Sequence, residues 1–538
     1  MILSCLTIAL MTAGPLLHKM NALSGSTEAG GYLNIGWASA DITPDEPVVI
    51  SGGSSARVSE GIKDPIGATV LLLESVRESG DSETVIMISV DLVGISIELH
   101  ERIKDMVSEV LPEINVNKII NNATHTHTAP DVTTAPDLVR MHARYGNNVP
   151  DDWARWGIDP GVMSASEYVD FAAGRIAGAI EQAWKGRKPG GISYGLAHAV
   201  VGHNRLASYY DGRSQMGGNT NSPDFSHIEG YEDHSINLLY TWDTKGKLTG
   251  VIINVAIPSQ VEYGLEISAD YWHETRLELR RRLGDELFIL PQCSAAGDQF
   301  PGVLVGRQAE RRMEEITGRN RREQIAVRLA DAVTSILPFM EKSIDWNPVM
   351  HHRTENLELS RRMLTEDCIY TARGTHHSPQ VETVEQRLNR LMDEYQKMLK
   401  EFEEKPELKL EPRWYQPITA AHWRMYRAWR TLERYEDQKS QTTLPAAVHV
   451  IRIGDMVIAT NPFELYLDFG MQMKARSKAV QTFIVQLARS NPIGGYVPTH
   501  RSVAGGAYGA IPESTQIGPE GGRELVEQTL MLIESLWD

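Results

Sequence analysis

Two imidazoles stand two residues apart in Asn121-Asn-Ala-Thr-His125-Thr-His127-Thr-Ala-Pro-Asp131, where the apolar run VNKIINN gives way to a Pro-containing loop. In an extended backbone residues i and i+2 face one side, so His125 and His127 can converge on one metal ion or one substrate group. Loop histidines that only hydrogen-bond to their neighbours fit the same spacing. A second cluster is Pro258-Ser-Gln260-Val-Glu262 followed by SADYWHETR, with Asp270, His273, Glu274 and Arg276. Asp270 reads as the N-cap of a helix that carries His273 in its first turn. In QCSAAGDQFPG, small residues lead into Gly297-Asp298, a turn that can present amide N–H groups to an anion or simply be tight. Glu464 follows the strand-like GDMVIAT, and two tyrosines, Tyr496 and Tyr508, come late in the chain.

These residues must be held by regular elements. Apolar runs such as ATVLLLES, ETVIMISVDLVG, VNKIINNATHTH, GVIINVAIPSQ and ELFILPQCSAAGD alternate with helical patterns such as IELHERIKDMVSEVL and YVDFAAGRIAGAIEQAW. This alternation predicts an α/β fold with a mostly buried sheet. The polar clusters at Asp91, His125/His127, Gln260/Glu262 and Asp298 each follow such a run, which places them at strand ends around a shared cleft. Leu388, Leu391, Tyr395, Met398 and Phe402 recur at helical spacing and predict an amphipathic helix packed on a second one at Ala420 to Tyr435. We read 380–440 as a helical hairpin inserted for packing.

Composition narrows the function classes. The 538 residues carry 53 Lys and Arg against 70 Asp and Glu, a net charge of −17, which argues against a nucleic-acid surface. Three cysteines, Cys5, Cys293 and Cys368, make neither a disulfide framework nor a Cys-x-x-Cys metal site, so any metal falls to His, carboxylate and phenol donors. The apolar start ILSCLTIALMTAGPLL predicts a signal peptide or flexible N-terminus over 1–31, with a single domain over 32–538 and a secreted or periplasmic location. No later run approaches the ~20 apolar residues of a membrane span.

In order and spacing, IGWASADITPDEP, the THTH loop, VGHNR, GDQFP, NPFE and the late tyrosines resemble the neutral (alkaline, non-lysosomal) ceramidase family, over roughly Leu33 to Gly521. The resemblance implies an α/β domain holding Zn2+ and hydrolysing an amide. It makes His125, Glu464 and Tyr496 zinc ligands, His127 their neighbour and Tyr508 a residue lining the site. Where the family has a His-Pro-Thr element with a further ligand, this chain has Ile257-Pro258-Ser259-Gln260. Where the family has Gly-Asp-x-Ser-Pro with the attacking serine, it has Gly297-Asp298-Gln299-Phe300-Pro301. No counterpart of the family's C-terminal immunoglobulin-like domain is expected after Tyr508. A divergent branch acting on something other than ceramide is the expectation.

Three functions fit. One is a hydrolase in which a cation held by His125, Glu464 and Tyr496 activates water on an amide, ester or glycan-derived substrate. Its general base is Glu262, His273 or Asp298, while Gln260 or Glu262 compensates for the missing histidine. Another is a carbohydrate-active enzyme, glycoside hydrolase or polysaccharide lyase. The third is a binding protein without turnover. In each, Asn204, Arg205 and Gln260 contact a small-molecule or glycan substrate, with Arg205 suited to a carboxylate or sulfate.

Overall fold

The computed structural model describes residues 31–134, 136–372, 380–488 and 493–538. The expected leader therefore lies outside the described residues, except at its last position, as do Asn491 and Pro492. An eight-stranded sheet is built from β1 (Tyr32–Asp41), β2 (Gly67–Val76), β3 (Ser82–Val90), β4 (Ile119–Ala123), β5 (Lys188–His198), β6 (Ser235–Asp243), β7 (Leu248–Val255) and β8 (Phe288–Cys293). Their order is β8-β7-β6-β5-β1-β2-β3-β4. Only the outermost pairs, β3–β4 and β7–β8, are parallel. A second sheet, in the order given, contains β9 (Met350–Ser360), β10 (Thr443–Ile453), β11 (Met456–Thr460) and β12 (Gln481–Val485).

The strands read as unbroken apolar runs because both of their faces are buried. In β2 and β3, Val70, Leu72, Ile86 and Ile88 face α1 (Ile97–Val110) and α2 (Ala165–Gly186). Leu71, Leu73, Val85 and Met87 face the other way, into a core shared with Leu239, Ile252 and Leu290 and with Ile451, Ile458 and Phe483 of the second sheet. On the β6–β8 side, α3 (Tyr271–Leu283) and α4 (Arg321–Met340) cover Leu238, Tyr240, Val251 and Ile253. Helices α2 and α4 begin on capping boxes, Ser164 with Glu167 and Asn320 with Glu323.

Twist accumulates by roughly 20–25° per strand, so a sheet of this width curls. The curl brings its two edges together. Trp37 of β1 stacks on Phe288 of β8 with centroids 5.5 Å apart, and the Asn122 amide of β4 donates to the Pro291 carbonyl at 3.1 Å. The strand ends that carry the histidine loop and the Gly-Asp turn thereby become neighbours.

Helices α5 (Val384–Glu404) and α6 (Tyr415–Asp437) pack on each other through Leu388, Leu391, Tyr395, Ile418, Met425 and Trp429. Finally, α7 (Leu467–Arg476) and α8 (Pro519–Glu534) cover the outer face of the second sheet. Among the described residues no helix is long and apolar enough to cross a membrane.

The shared core sets a stability expectation. Phe483→Ala, at a fully buried position between the sheets, lowers unfolding free energy by about 3–5 kcal/mol, whereas Val480→Ala, 75% exposed, changes it by less than about 0.5. Urea titration of the two variants checks the contrast.

Candidate active site

At His125 the chain leaves the extended conformation: φ is 68°, in a region that residues other than glycine seldom occupy. The sequence expectation of an extended His-Thr-His is corrected here. The two rings do meet, edge to face with centroids 5.0 Å apart, but across a left-handed turn. That turn is fixed by the His125 N–H donating to the Leu92 carbonyl at 2.9 Å. On the side chain, Nδ1 lies 2.5 Å from the Val93 carbonyl and donates to it, which fixes the ring and turns Nε2 the other way. Nε2 faces the Glu464 carboxylate at 3.4 Å.

Glu464 reaches this point from the loop after β11. Glu464–Leu465 and Tyr496–Val497 form a two-residue parallel pair in which Glu464 lies opposite Tyr496. The Tyr496 hydroxyl hydrogen-bonds the Glu464 carboxylate. Burial acts to raise the Glu464 carboxyl, but His125, the Tyr496 hydroxyl and the charge of Arg205 outweigh it and hold the group below its ordinary range. Burial and the Glu464 charge push the Tyr496 phenol well up. Gly297 permits the close approach of this strand pair, since a Cβ there would stand 2.4 Å from the Glu464 carbonyl oxygen. Its N–H donates to the Leu465 carbonyl at 2.8 Å. The Gly-Asp turn thus anchors a strand, and the reading of this N–H as an anion donor is corrected.

Arg205 and Gln260 link the two halves of the site. The Arg205 guanidinium donates to the Gly297 carbonyl at 2.9 Å, the Tyr496 hydroxyl at 3.3 Å and Oε1 of Gln260 at 3.2 Å. The Gln260 amide nitrogen lies 2.9 Å from Nε2 of His127. The other nitrogen of His127 is turned to the backbone of Gly52, where φ is 83° and a Cβ would come within 2.6 Å of Nδ1. Burial, followed by the charges of His125, Arg205 and Arg57, drives the His127 pKa well below its ordinary value, so this imidazole is neutral.

The remaining sequence candidates are placed as follows. Asp298 is buried and has both oxygens occupied, by the Leu467 N–H at 2.9 Å and the Asn204 amide at 2.9 Å; burial raises its pKa to about 6. Asn204 is buried with it, and its Oδ1 accepts from the Leu206 N–H. Glu262 pairs with Lys63 at 2.5 Å and Arg322 at 3.1 Å. His273 lies in the first turn of α3, partly exposed. Tyr508 packs against Tyr496 with centroids 6.1 Å apart. Ile257 is core, with its carbonyl bonded to the Tyr271 hydroxyl, and Phe300 packs beside the buried cluster of Ala207, Tyr209 and Leu304.

Sequence reading missed Gly52, Val93, Arg57 and Tyr466, whose ring meets that of Tyr496 edge to face with centroids 6.3 Å apart. Arg57 clamps the His127 carbonyl at 2.7 Å and the Ser51 carbonyl at 2.5 Å. Only the glycine pair in SGGSSAR hinted at a close approach there; Val93 acts through its backbone and leaves no sequence signal.

The donor set can be tested against a metal. Among the described residues no group of three or more His, Cys, Asp and Glu side chains could hold an ion, so a cation here depends on the Tyr496 phenol as third donor. Ligands about 2.0–2.2 Å from a tetrahedral ion stand about 3.3–3.6 Å apart. The 3.4 Å between His125 Nε2 and Glu464 matches that edge.

Solved structures supply the comparison. The chain is similar to the neutral ceramidase of Pseudomonas aeruginosa, at 16% identity and a TM-score of 0.62, over 94% of this chain and 75% of that one. It is equally similar to a ceramidase complexed with C2, at 15% identity and a TM-score of 0.62, over 94% of this chain and 76% of that one. No family model matches the sequence, and no curated protein matches it. The fold is ceramidase-like.

A buried carboxylate fixes the loop that delivers Gln260. Asp270 accepts from the N–H groups of Val261, Glu262 and Tyr271 at 2.8, 2.7 and 2.5 Å, and burial raises its pKa from 3.8 to about 6. The native state therefore binds this proton more tightly than the unfolded chain. The resulting stability is fully present below about pH 4 and is lost as pH rises to about 6. The stability difference between the native sequence and Asp270→Asn should be larger at pH 4 than at pH 7, by about 2–3 kcal/mol in denaturant titrations. A pH-independent difference would contradict this.

Proposed function

We propose that the chain is a hydrolase in which His125, Glu464 and Tyr496 hold a divalent cation, zinc by donor type, and that its substrate is an amide or ester other than ceramide. The observation that carries this reading is the convergence of His125 Nε2, oriented by the Val93 carbonyl, on the Glu464 carboxylate at 3.4 Å, with the Tyr496 hydroxyl on that same carboxylate. When bound, the cation would acidify a water molecule and polarise a carbonyl. Arg205 lies on the other side of Tyr496 and contributes fixed positive charge where a carbonyl oxygen becomes negative. His127, neutral and with Nε2 turned to the site, takes the proton of the attacking water as Gln260 moves aside. Tyr508, partly exposed next to Tyr496, hands a proton to the leaving group. Asp298 and Asn204 position Arg205, whose N–H donates to the Asp298 carbonyl at 2.9 Å.

Water as nucleophile suits a chain with Phe300 where the resembling family carries a serine. A glycosidase with two free carboxylates has less support, since Glu262 is held by two cations and Asp298 by two donors. Export from the cytoplasm belongs to the proposal through the apolar run at the N-terminus.

Elemental mass spectrometry of the purified chain should find near-stoichiometric zinc, and His125→Ala should lose it. Hydrolysis in an amide and ester screen should fall by about a hundredfold or more in that variant and be abolished by a chelator. Hydrolysis that persists in metal-free protein and in His125→Ala would refute the assignment.

A further inference from the structure

The hairpin helix α6 grips the backbone on both sides of Arg57. Tyr415 and Thr419 stand four residues apart in its first turns and so share one face. The Tyr415 hydroxyl accepts from the Val58 N–H at 3.1 Å, and the Thr419 hydroxyl accepts from the Ala56 N–H at 3.0 Å. The Thr419 hydroxyl donates in turn to the Tyr415 carbonyl at 2.8 Å, which aims its lone pair at the segment. Thr419 and Ala56 are fully buried, and the Tyr415 ring packs with Val49, Ala56, Trp153 and Trp156.

Arg57 joins three loops of the site. Its guanidinium donates to the carbonyls of Ser51 at 2.5 Å, His127 at 2.7 Å and Gly264 at 3.0 Å, and the Tyr263 ring lies over it at 4.3 Å. Ser51 precedes the Gly52 that backs the His127 ring, and Gly264 lies in the loop that brings Gln260 in. The residues after His127 are tied to the same segment: the Ser51 N–H donates to the Ala129 carbonyl at 3.0 Å, and the Asp131 N–H donates to the Val49 carbonyl at 2.8 Å. Within the segment, Val49–Ile50 and Arg57–Val58 form an antiparallel pair of two residues each. A ladder that short is marginal alone, so the hydroxyls of α6 decide whether it holds. The hairpin reaches the far end of the loop as well. His422 of α6 stacks on His142 with centroids 5.0 Å apart, and the Tyr395 hydroxyl of α5 donates to the Gly157 carbonyl. Between those contacts, Nε1 of Trp156 donates to the Asp131 carboxylate at 2.9 Å.

We propose that the hairpin is a positioning element of the active site, in which Thr419 and Tyr415 hold Arg57, and Arg57 holds the His127 backbone and the Gln260 loop. The assignment rests on the hydrolase reading of the site, where His127 takes a proton from water. All three residues meet backbone groups, so they act through the place of the imidazole. The Arg57 fork suits the task because its planar donors fix several carbonyls at once. Removing one hydroxyl leaves a buried amide without an acceptor and frees the segment to open locally. The helical pair, expected from sequence to serve packing alone, thereby gains a role in the chemistry.

Hydrogen exchange of the full chain, followed by mass spectrometry, tests this without substrate. Thr419→Val removes the acceptor and keeps the shape; it should speed exchange in 49–58 and 124–131 by about tenfold or more while leaving α7 unchanged. Thr419→Ser should restore the native rates. Thr431→Val, buried on the same helix but bonded to the Arg427 carbonyl, should alter neither segment. On a substrate from the hydrolysis screen, Thr419→Val should lower kcat by about tenfold or more, with KM within about twofold and zinc content unchanged. If Thr419→Val melts abnormally, Tyr415→Phe, which keeps the ring, takes its place. Native exchange rates in both segments, or faster exchange spread evenly over the chain, overturn the proposal, and so does full kcat in a variant whose segments exchange fast. Faster exchange confined to the two segments in a chain without any turnover would count against the hydrolase reading alone.

Discussion

The approach of His125 to Glu464 is the contact on which the candidate site depends. One residue comes from the loop after an edge strand of the large sheet, the other from a loop of the second sheet, and a buried core between the sheets sets their separation. Each is oriented by a group that leaves it no freedom: the Val93 carbonyl fixes the imidazole tautomer, and the Glu464–Tyr496 strand pair fixes the carboxylate. The Tyr496 hydroxyl and, from beyond it, the charge of Arg205 act on the same carboxylate.

From there the arrangement extends outward in layers. Gln260 connects Arg205 to His127, and Asp270 anchors the loop that brings Gln260 in. Asp298 ties the Asn204–Arg205 segment to the start of α7. Tyr508 connects the phenol of Tyr496 to the guanidinium of Arg427 on α6.

Much of this was legible in the sequence where side-chain type carries the role. His125, His127, Gln260, Glu464, Tyr496 and Arg205 were picked out by residue type at strand ends or by family resemblance, and they stand together. The buried runs in β2, β3, β7 and β8 were legible because strands covered on both faces are uniformly apolar. The curl of the large sheet was not, since twist accumulates from backbone geometry that no single residue announces. Neither was the second sheet's position against the first, because β9, with its polar HHRTENLELS, carries little apolar signal. Backbone contributions, the Val93 carbonyl and the left-handed His125, escape any pattern of side chains. Asp298 and Glu262 were legible as acids, but their hydrogen-bond and ion-pair partners come from residues distant in sequence. Asp298 accepts from Leu467 and Asn204, and Glu262 pairs with Lys63 and Arg322.

Anomalous diffraction at the zinc absorption edge, from crystals of the purified chain supplied with zinc, addresses the central claim most directly. The account predicts one strong peak about 2.0–2.2 Å from His125 Nε2, the Glu464 carboxylate and the Tyr496 hydroxyl. Absence of a peak there, with His125 and Glu464 in direct contact as an imidazolium–carboxylate pair, would contradict it.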